Sequence, residues 1–230
     1  MLFREEDEDL EILPFKNREE AGRILAAKLL SYSGRGDVVV LGLPRGGLPV
    51  AAQIAEVLNV PLDVLVVRKL GTPWNRELAM GAVAPGGVRV LDLSIVKDLC
   101  ISEDDIEWVV TTEAKELERR EKLYRGDRPP LALAEQTVIL VDDGVATGST
   151  ILAAIAAIRR QNAARIVVAI AVIPASGCSA IRMEADEVIS VAEPETYVAV
   201  SQWYEDFTQI SDDDVCSLLR RTAVDIPRAA

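Results

Sequence analysis

Val138-Ile139-Leu140-Val141 runs directly into Asp142-Asp143, and Gly144-Val145-Ala146-Thr147-Gly148-Ser149-Thr150 follows. A short aliphatic run of this kind reads as a buried strand. Two adjacent carboxylates at its end repel each other and lose hydration. They need hydroxyl donors, a cation or backbone N–H groups. The small and hydroxyl residues from Ala146 to Thr150 lead into a helical pattern, and a helix start offers free N–H groups and a favourable dipole to an anion. The dipole alone contributes only about 0.3–1 kcal/mol at an exposed site, so several donors must act together. Thr147, Ser149 and Thr150 supply hydroxyls, and Gly148 lets the backbone approach closely. Carboxylates that take hydroxyls, beside a loop that takes a phosphate, suit a sugar phosphate.

Two further segments add positive charge or an anion turn. Pro44-Arg45-Gly46-Gly47 follows the apolar stretch Asp37 to Leu43. It lacks the Gly-Lys-Ser/Thr ending of a Walker A loop and is no dinucleotide GxGxxG fingerprint. Arg68-Lys69 follows the aliphatic stretch Val60 to Val67. Arg76 and Glu77 are secondary candidates. These cations matter because the chain carries a formal net charge of −12 with a pI of about 4.6. A field of that sign repels nucleic acid and anionic membranes, and equally a phosphorylated small molecule. The chain has no histidine, which excludes every mechanism that needs an imidazole base. Its three cysteines, Cys100, Cys178 and Cys216, lack the spacing of a disulfide framework or a zinc site.

The elements that must hold these residues alternate between aliphatic strands and helices. That pattern predicts an α/β fold with a mostly parallel sheet and helices on both faces. Asn17 with Glu20 reads as a capping box opening a first helix, with Ala21, Ile24, Leu25 and Leu29 as its stripe. Lys69 to Arg76 reads as a loop, with two short strands at Glu77 to Val83 and Val88 to Leu91. Ser102 with Asp105 opens a long charged helix to about Tyr124, on a narrow stripe of Ile106, Val110, Ala114 and Leu117. Thr137 to Val141, Arg165 to Ile173 and Val188 to Val191 read as further strands. Ser176 to Ala185 reads as a short helix, and Ser211 with Asp214 caps a last one through Arg221. The expected organisation is an acidic N-terminal extension (1–16), a core (17–193) with the long helix at about 102–125 inserted, and a C-terminal hood or appendage (194–230). The longest apolar run, Ile166 to Ala175, is about half a membrane span. The N-terminus has no signal-peptide pattern, so a cytoplasmic location is expected.

The segment Val138 to Thr150 resembles the phosphoribosyl-pyrophosphate signature of type I phosphoribosyltransferases. That signature is four apolar residues, two acids, then a loop of hydroxyl residues and glycine. The resemblance runs over roughly residues 17 to 207 and is strongest at 37–70 and 137–160. It implies a core of the type I phosphoribosyltransferase kind with a small hood. By resemblance, Asp142 and Asp143 hold the ribose hydroxyls directly or through Mg²⁺, and Ala146, Thr147, Gly148, Ser149 and Thr150 cradle the 5-phosphate. Arg45, Gly46 and Gly47 stand where the family binds pyrophosphate, and Pro44–Arg45 stands where it often has a cis peptide. Arg68 and Lys69 match a catalytic pair that in some members acts across a dimer interface, which implies a homodimer.

One position departs from the signature. Gly144 replaces the usual aliphatic residue, which predicts a more flexible loop. Tyr197 and Val198 resemble the hood of 6-oxopurine transferases and are the candidates for base binding. Where those enzymes carry a lysine, this chain has Ile173-Pro174, so the acceptor stays open. The resemblance implies transfer of a phosphoribosyl group from phosphoribosyl pyrophosphate to a nitrogenous base, releasing pyrophosphate. The alternative is a non-catalytic regulator that binds the same ligand on the same fold.

Overall fold

The computed structural model describes residues 14–76, 78–126, 128, 132–146, 148–175 and 178–221. The N-terminal extension up to residue 13, Glu77, Thr147, and the tail beyond Arg221 lie outside the described residues. So do parts of the 126–130 linker and the expected helix start at Ser176. Five strands form one parallel sheet: β1 (Val38–Gly42), β2 (Leu62–Val64), β6 (Thr137–Asp142), β7 (Arg165–Val172) and β8 (Glu187–Ala192). Their order is β2-β1-β6-β7-β8. All of β1 is buried, as is β6 up to Val141.

Alternation along these strands builds two cores. Val38, Val40, Ile139, Val141, Val167, Ala169 and Ala171 join one cluster with helices α1 (Arg18–Lys28) and α2 (Gly47–Leu58). Val39, Leu41, Val138, Leu140, Ile166, Val168 and Ile170 join the other, with α5 (Ser149–Arg160) and Ile181 of α6 (Cys178–Glu184). A parallel sheet covered on both faces needs such near-continuous aliphatic strands, and the predicted architecture is the one observed.

A second, antiparallel sheet is made of β3 (Arg68–Gly71), β4 (Ala79–Ala84) and β5 (Val88–Leu91). It corrects the reading of Lys69 to Arg76 as a loop over Lys69 to Gly71, while Thr72 to Arg76 lie outside any strand or helix. Arg68 pairs with Val83 and Lys69 with Ala82, so the two cations begin a strand rather than end one. The preceding strand stops at Val64, and Leu65 leaves the sheet after its amide bonds the Gly42 carbonyl (3.1 Å). Sequence reading also passes over α3 (Leu93–Asp98), which Asp92 caps through the amides of Ser94 and Ile95.

The long helix α4 (Glu103–Arg125) is capped by Ser102 as expected. Its buried positions are Ile106, Val109, Leu117 and Tyr124, so Val109 rather than Val110 carries the stripe. At α1, the Asn17 side chain accepts from the Glu20 amide (3.0 Å), but the Glu20 carboxylate takes the Lys16 amide (2.6 Å) instead of closing the box on Asn17.

The N-terminal end of the described chain meets the segment that follows β8. Phe15 bridges to Tyr204, with Phe15 N donating to Trp203 O and Glu205 N to Phe15 O, each at 2.8 Å. From there the chain reaches α7 (Asp212–Arg221), whose buried Val215 and Leu219 join the α1–α2 core. Cys100 and Cys216 are free thiols. No helix among the described residues is long and apolar enough to cross a membrane.

Candidate functional site

Strand order locates the site. The chain leaves β1 toward β2 on one side and β6 lies on the other, so the order reverses between β1 and β6. In open α/β sheets the crevice beyond the carboxyl ends at such a reversal is where ligands bind. The β1–α2 turn carries Pro44 to Gly47, and the β6–α5 turn carries Asp142 to Gly148. Both sequence-predicted loops therefore meet at the switch point, and they touch.

Glycine makes that contact. A Cβ on Gly46 would lie 2.6 Å from Asp143 Cγ, and one on Gly47 would lie 2.7 Å from the Val141 carbonyl and 3.0 Å from Asp142 Oδ1. The Pro44–Arg45 peptide is cis, as the resemblance implied. A cavity of about 500 Å³ opens over these loops. Its lining includes Arg45, Gly46, Arg68, Lys69, Asp142, Asp143 and Thr150. Arg120 of α4, Phe207, Gln209 and Ile210 of the C-terminal segment, and Arg18 of α1 line it as well.

A larger cleft, about 630 Å³, lies between α4, α5 and the β4–β5 hairpin. Its cations sit at helix C-termini, where they offset the dipole. Arg125 there pairs with buried Asp63, and Arg128 donates to the Leu219 carbonyl. The smaller cavity is the one where acids, cations and a helix start converge.

Helix caps distinguish the two loops from the starts of α1, α3 and α4. Asn17, Asp92 and Ser102 cap α1, α3 and α4 with side chains. Gly46 and Gly148, at the starts of α2 and α5, give no side-chain cap. An uncapped start leaves N–H donors for a ligand. The two differ in what they offer. In α2, Gly47 N bonds Leu43 O, Leu48 N bonds Arg45 O, and Pro49 has no N–H, so charge there comes from the Arg45 guanidinium. In α5, Gly148 adopts a left-handed φ of 78°, a conformation open to glycine, and Ser149 and Thr150 open the helix.

The acids are not equivalent. Asp143 is buried, and Arg18 Nε donates to its Oδ2 at 2.8 Å. Tyr204 Oη donates to the Asp143 carbonyl at 2.6 Å. Asp142 is half-buried, and its Oδ1 accepts the Asp143 amide at 2.9 Å. Burial, and then the Asp143 charge, push the Asp142 carboxyl well above the usual carboxylate range. Among the cations, Arg68 donates twice to Glu113 Oε2 of α4, at 2.9 and 2.6 Å. Arg45 Nη1 lies 3.8 Å from Asp212 Oδ1, which also accepts from Tyr124 Oη at 2.6 Å.

Tyr197 and Val198, the candidates for base binding, do not line the cavity. Val198 is 75% exposed. The Tyr197 hydroxyl is buried without a hydrogen-bond partner among the described residues, and burial with the charges of Asp143 and Asp142 pushes it up to about 12. Gly144 is not a flexible point. A Cβ there would lie 2.5 Å from Val200 Cγ1 and 3.1 Å from Val172 Cγ1, so Val200 fills the room left by the missing aliphatic side chain.

Arg18, Arg120, Tyr204 and Phe207 escaped sequence reading. Arg18 had one signal. It is the first residue of α1, beside Glu19 and Glu20, where the dipole disfavours a cation.

An acid pair and two helix starts without side-chain caps thus meet at the switch point of a parallel α/β sheet. The chain belongs to the phosphoribosyl transferase domain family, whose sequence profile matches residues 10–208. It is 43% identical over 94% of its length to two curated Mycobacterium tuberculosis proteins, from strains CDC 1551 and H37Rv, that carry provisional phosphoribosyl transferase names. The chain spans 48% of the length of these relatives. It is also similar to the crystal structure of TT1426 from Thermus thermophilus. Identity is 37%, the match covers 92% of this chain and 100% of that one, and the TM-score is 0.78.

Proposed function

We propose that this chain transfers a phosphoribosyl group from 5-phosphoribosyl 1-pyrophosphate to a nitrogenous base and releases pyrophosphate. The observation that carries this reading is the contact of the Gly46–Gly47 turn with the Asp142–Asp143 strand end. It brings the Arg45-bearing turn against the two carboxylates that lead into the α5 start. A monophosphate needs one such loop. A ligand with phosphate at one end and pyrophosphate at the other uses both.

In this mechanism the α5 start, with Ala146 to Thr150, holds the 5-phosphate. Asp142 and Asp143 take the ribose hydroxyls, and their charge stabilises the cationic ribose as the bond to pyrophosphate lengthens. Arg45, Arg68 and Lys69 neutralise the leaving pyrophosphate. The base nitrogen attacks the anomeric carbon as pyrophosphate departs, so the chain contributes mainly charge and positioning. Gln209, which lines the cavity, offers the acceptor an amide. The donor set suits Mg²⁺, an ion that keeps several waters and binds one or two carboxylates plus substrate oxygens. Among the described residues no cluster of three or more acid, cysteine or histidine ligands forms a closed cage. Asp142 and Asp143 would hold the ion, which supplies charge neutralisation when bound. A cytoplasmic homodimer is part of the same proposal.

Calorimetry with phosphoribosyl pyrophosphate and Mg²⁺, followed by a panel of bases scored for pyrophosphate release, tests the reading. Millimolar or tighter binding with turnover on one base is expected. No binding at millimolar ligand overturns it, and binding without turnover on any base turns the chain into a ligand-binding regulator.

Glu113 supplies a second expected result. It competes with pyrophosphate for Arg68, and a partly exposed ion pair contributes about 0–1 kcal/mol. Glu113→Gln should therefore tighten Mg²⁺–pyrophosphate binding by up to about fivefold. Weaker binding in calorimetry would mean that Glu113 orients Arg68 for the ligand instead.

A further inference from the structure

We infer that Arg120 is a pyrophosphate-binding residue: α4 brings it to the cavity as a third guanidinium beside those of Arg45 and Arg68, where it selects the pyrophosphate end of the ligand. This rests on the phosphoribosyl-transfer reading above. It gives that reaction a residue from outside the loops that carry the signature.

Helix geometry sets the position. Glu113, Leu117, Arg120 and Tyr124 recur at the spacing that puts side chains on one face, and Leu117 and Tyr124 of this set are buried. Along the axis Arg120 stands about 10 Å beyond Glu113 and about 6 Å before Tyr124. Glu113 is the residue that holds Arg68. Tyr124 Oη donates to Asp212 Oδ1 at 2.6 Å, and Arg45 Nη1 lies 3.8 Å from the same oxygen. Arg120 thus leaves α4 between the point that meets Arg68 and the point that meets Arg45, and it lines the cavity with both. Burial and then Asp212 raise the Tyr124 hydroxyl, while the charges of Arg120 and Arg45 both oppose that shift. The two guanidiniums therefore face one corner of the cavity.

The bonding of Arg120 leaves it available. Its Nε donates to Glu116 Oε1 at 2.8 Å, and its two Nη groups have no protein partner among the described residues. Glu116 does not depend on that bond, because Arg119 already donates to both of its oxygens, at 2.7 and 2.9 Å. The two arginines differ in place. The Arg119 side chain is 55% exposed and that of Arg120 23%, and of the two Arg120 alone lines the cavity. Arg45 and Arg68 enter the site already paired with Asp212 and Glu113, and Arg18 with Asp143, so carboxylates offset much of their charge. In a chain of net charge −12, the leaving group needs a cation whose terminal donors are uncommitted. The planar fork of a guanidinium matches paired phosphate oxygens.

Calorimetry on the full chain with two probes tests this: Mg²⁺–pyrophosphate for the cation side and ribose 5-phosphate for the α5 side. In Arg120→Gln the pyrophosphate affinity should fall at least about tenfold, the scale of a lost charge-assisted hydrogen bond. Ribose 5-phosphate binding should stay within about twofold of wild type, as at an independent site. Arg119→Gln is the control. It removes the same charge from the same helix and the same Glu116, but from outside the cavity, so with distant charges screened at about 0.15 M salt both affinities should hold within about twofold. Arg120→Lys keeps the charge without the fork and should fall between wild type and Arg120→Gln. Unchanged pyrophosphate affinity in folded Arg120→Gln overturns the inference. So does an equal loss in Arg119→Gln, which would reduce the effect to the field of the helix, or an equal loss for both probes, which would reduce it to distortion of the site. If Arg120→Gln does not fold, Arg120→Lys decides alone: weaker pyrophosphate binding with ribose 5-phosphate unmoved supports the role, and wild-type affinity overturns it. A wild type that binds neither probe overturns the transferase reading and this inference with it. A wild type that binds both, matched by Arg120→Gln, overturns the Arg120 role alone.

Discussion

Asp142→Asn should make the protein more stable and inactive at once. The Asp142 carboxyl is raised by burial and by the Asp143 charge beside it. Below the ordinary carboxylate range the group is protonated in both folded and unfolded chains and costs nothing. As pH rises through the window between the unfolded value and the raised folded value, the unfolded chain releases its proton first, and the folded state loses stability. Above the window that loss is constant. Asparagine does not titrate, so the gain from Asp142→Asn is absent in acid, grows across the window and is full at neutral and alkaline pH. Relief of a strained functional site typically contributes about 0.5–2 kcal/mol, and for a chain of this size each kcal/mol moves the midpoint of thermal unfolding by about 2–4 °C. Removing the charge that faces the ribose should lower turnover at least about a hundredfold. Thermal melts across pH, paired with pyrophosphate-release assays, check both halves. A variant that melts lower at pH 8 than wild type would show that the two acids do not destabilise each other. The same linkage makes ligand binding tighten as pH rises through the window, with release of a proton, because the ribose hydroxyls and the cation favour ionised Asp142.

The stability penalty at Asp142 explains why this part of the chain was the most legible. An aliphatic strand that ends in two acids is a local conflict, and local conflicts mark function. The Pro44 to Gly47 turn was legible for the same reason, since its chemistry lies within four consecutive residues. What the sequence hid depends on residues far apart in the chain. Glu113 and Arg120 are charged positions on a charged helix, and nothing local separates them from Glu118 or Lys122. Only the packing of α4 against β3 brings Glu113 to Arg68 and Arg120 to the cavity. Tyr204 and Phe207 lie in a stretch without helical or strand period, and their role comes from pairing with Phe15 and Arg18 at the other end of the described chain. Strand β3 was misread because its two leading residues are cations. In a half-exposed antiparallel strand that is ordinary, and Leu70 and Gly71 carry its burial. The reading of Gly144 as a flexible point failed because a missing side chain is also a vacancy for a neighbour. Val200, 56 positions away by number, takes it.

Gly46→Ala should separate site geometry from backbone preference. Gly46 has φ −64° and ψ −35°, an ordinary α-region conformation that alanine adopts without strain. The obstacle is the added methyl, which would lie 2.6 Å from Asp143 Cγ and 2.8 Å from its Oδ1. The carboxylate is tied in place, because Arg18 Nε bonds Oδ2, the oxygen that the methyl would meet first. The Arg45–Gly47 turn must therefore move away from the Asp142–Asp143 strand end. Such overpacking costs about 1–3 kcal/mol, and a shift of the order of 1 Å between reacting groups costs about a hundredfold in rate. Gly36→Ala is the control: a Cβ there meets nothing within 4 Å, so stability should stay within about 0.5 kcal/mol of wild type. Denaturant melts and pyrophosphate-release assays on the two variants read these effects apart. Lost stability with retained turnover in Gly46→Ala would reduce the contact of the two loops to packing. Lost turnover in a variant that melts like wild type would mean the methyl blocks the ligand directly. Only the loss of both supports loops held in register by the absence of a single side chain.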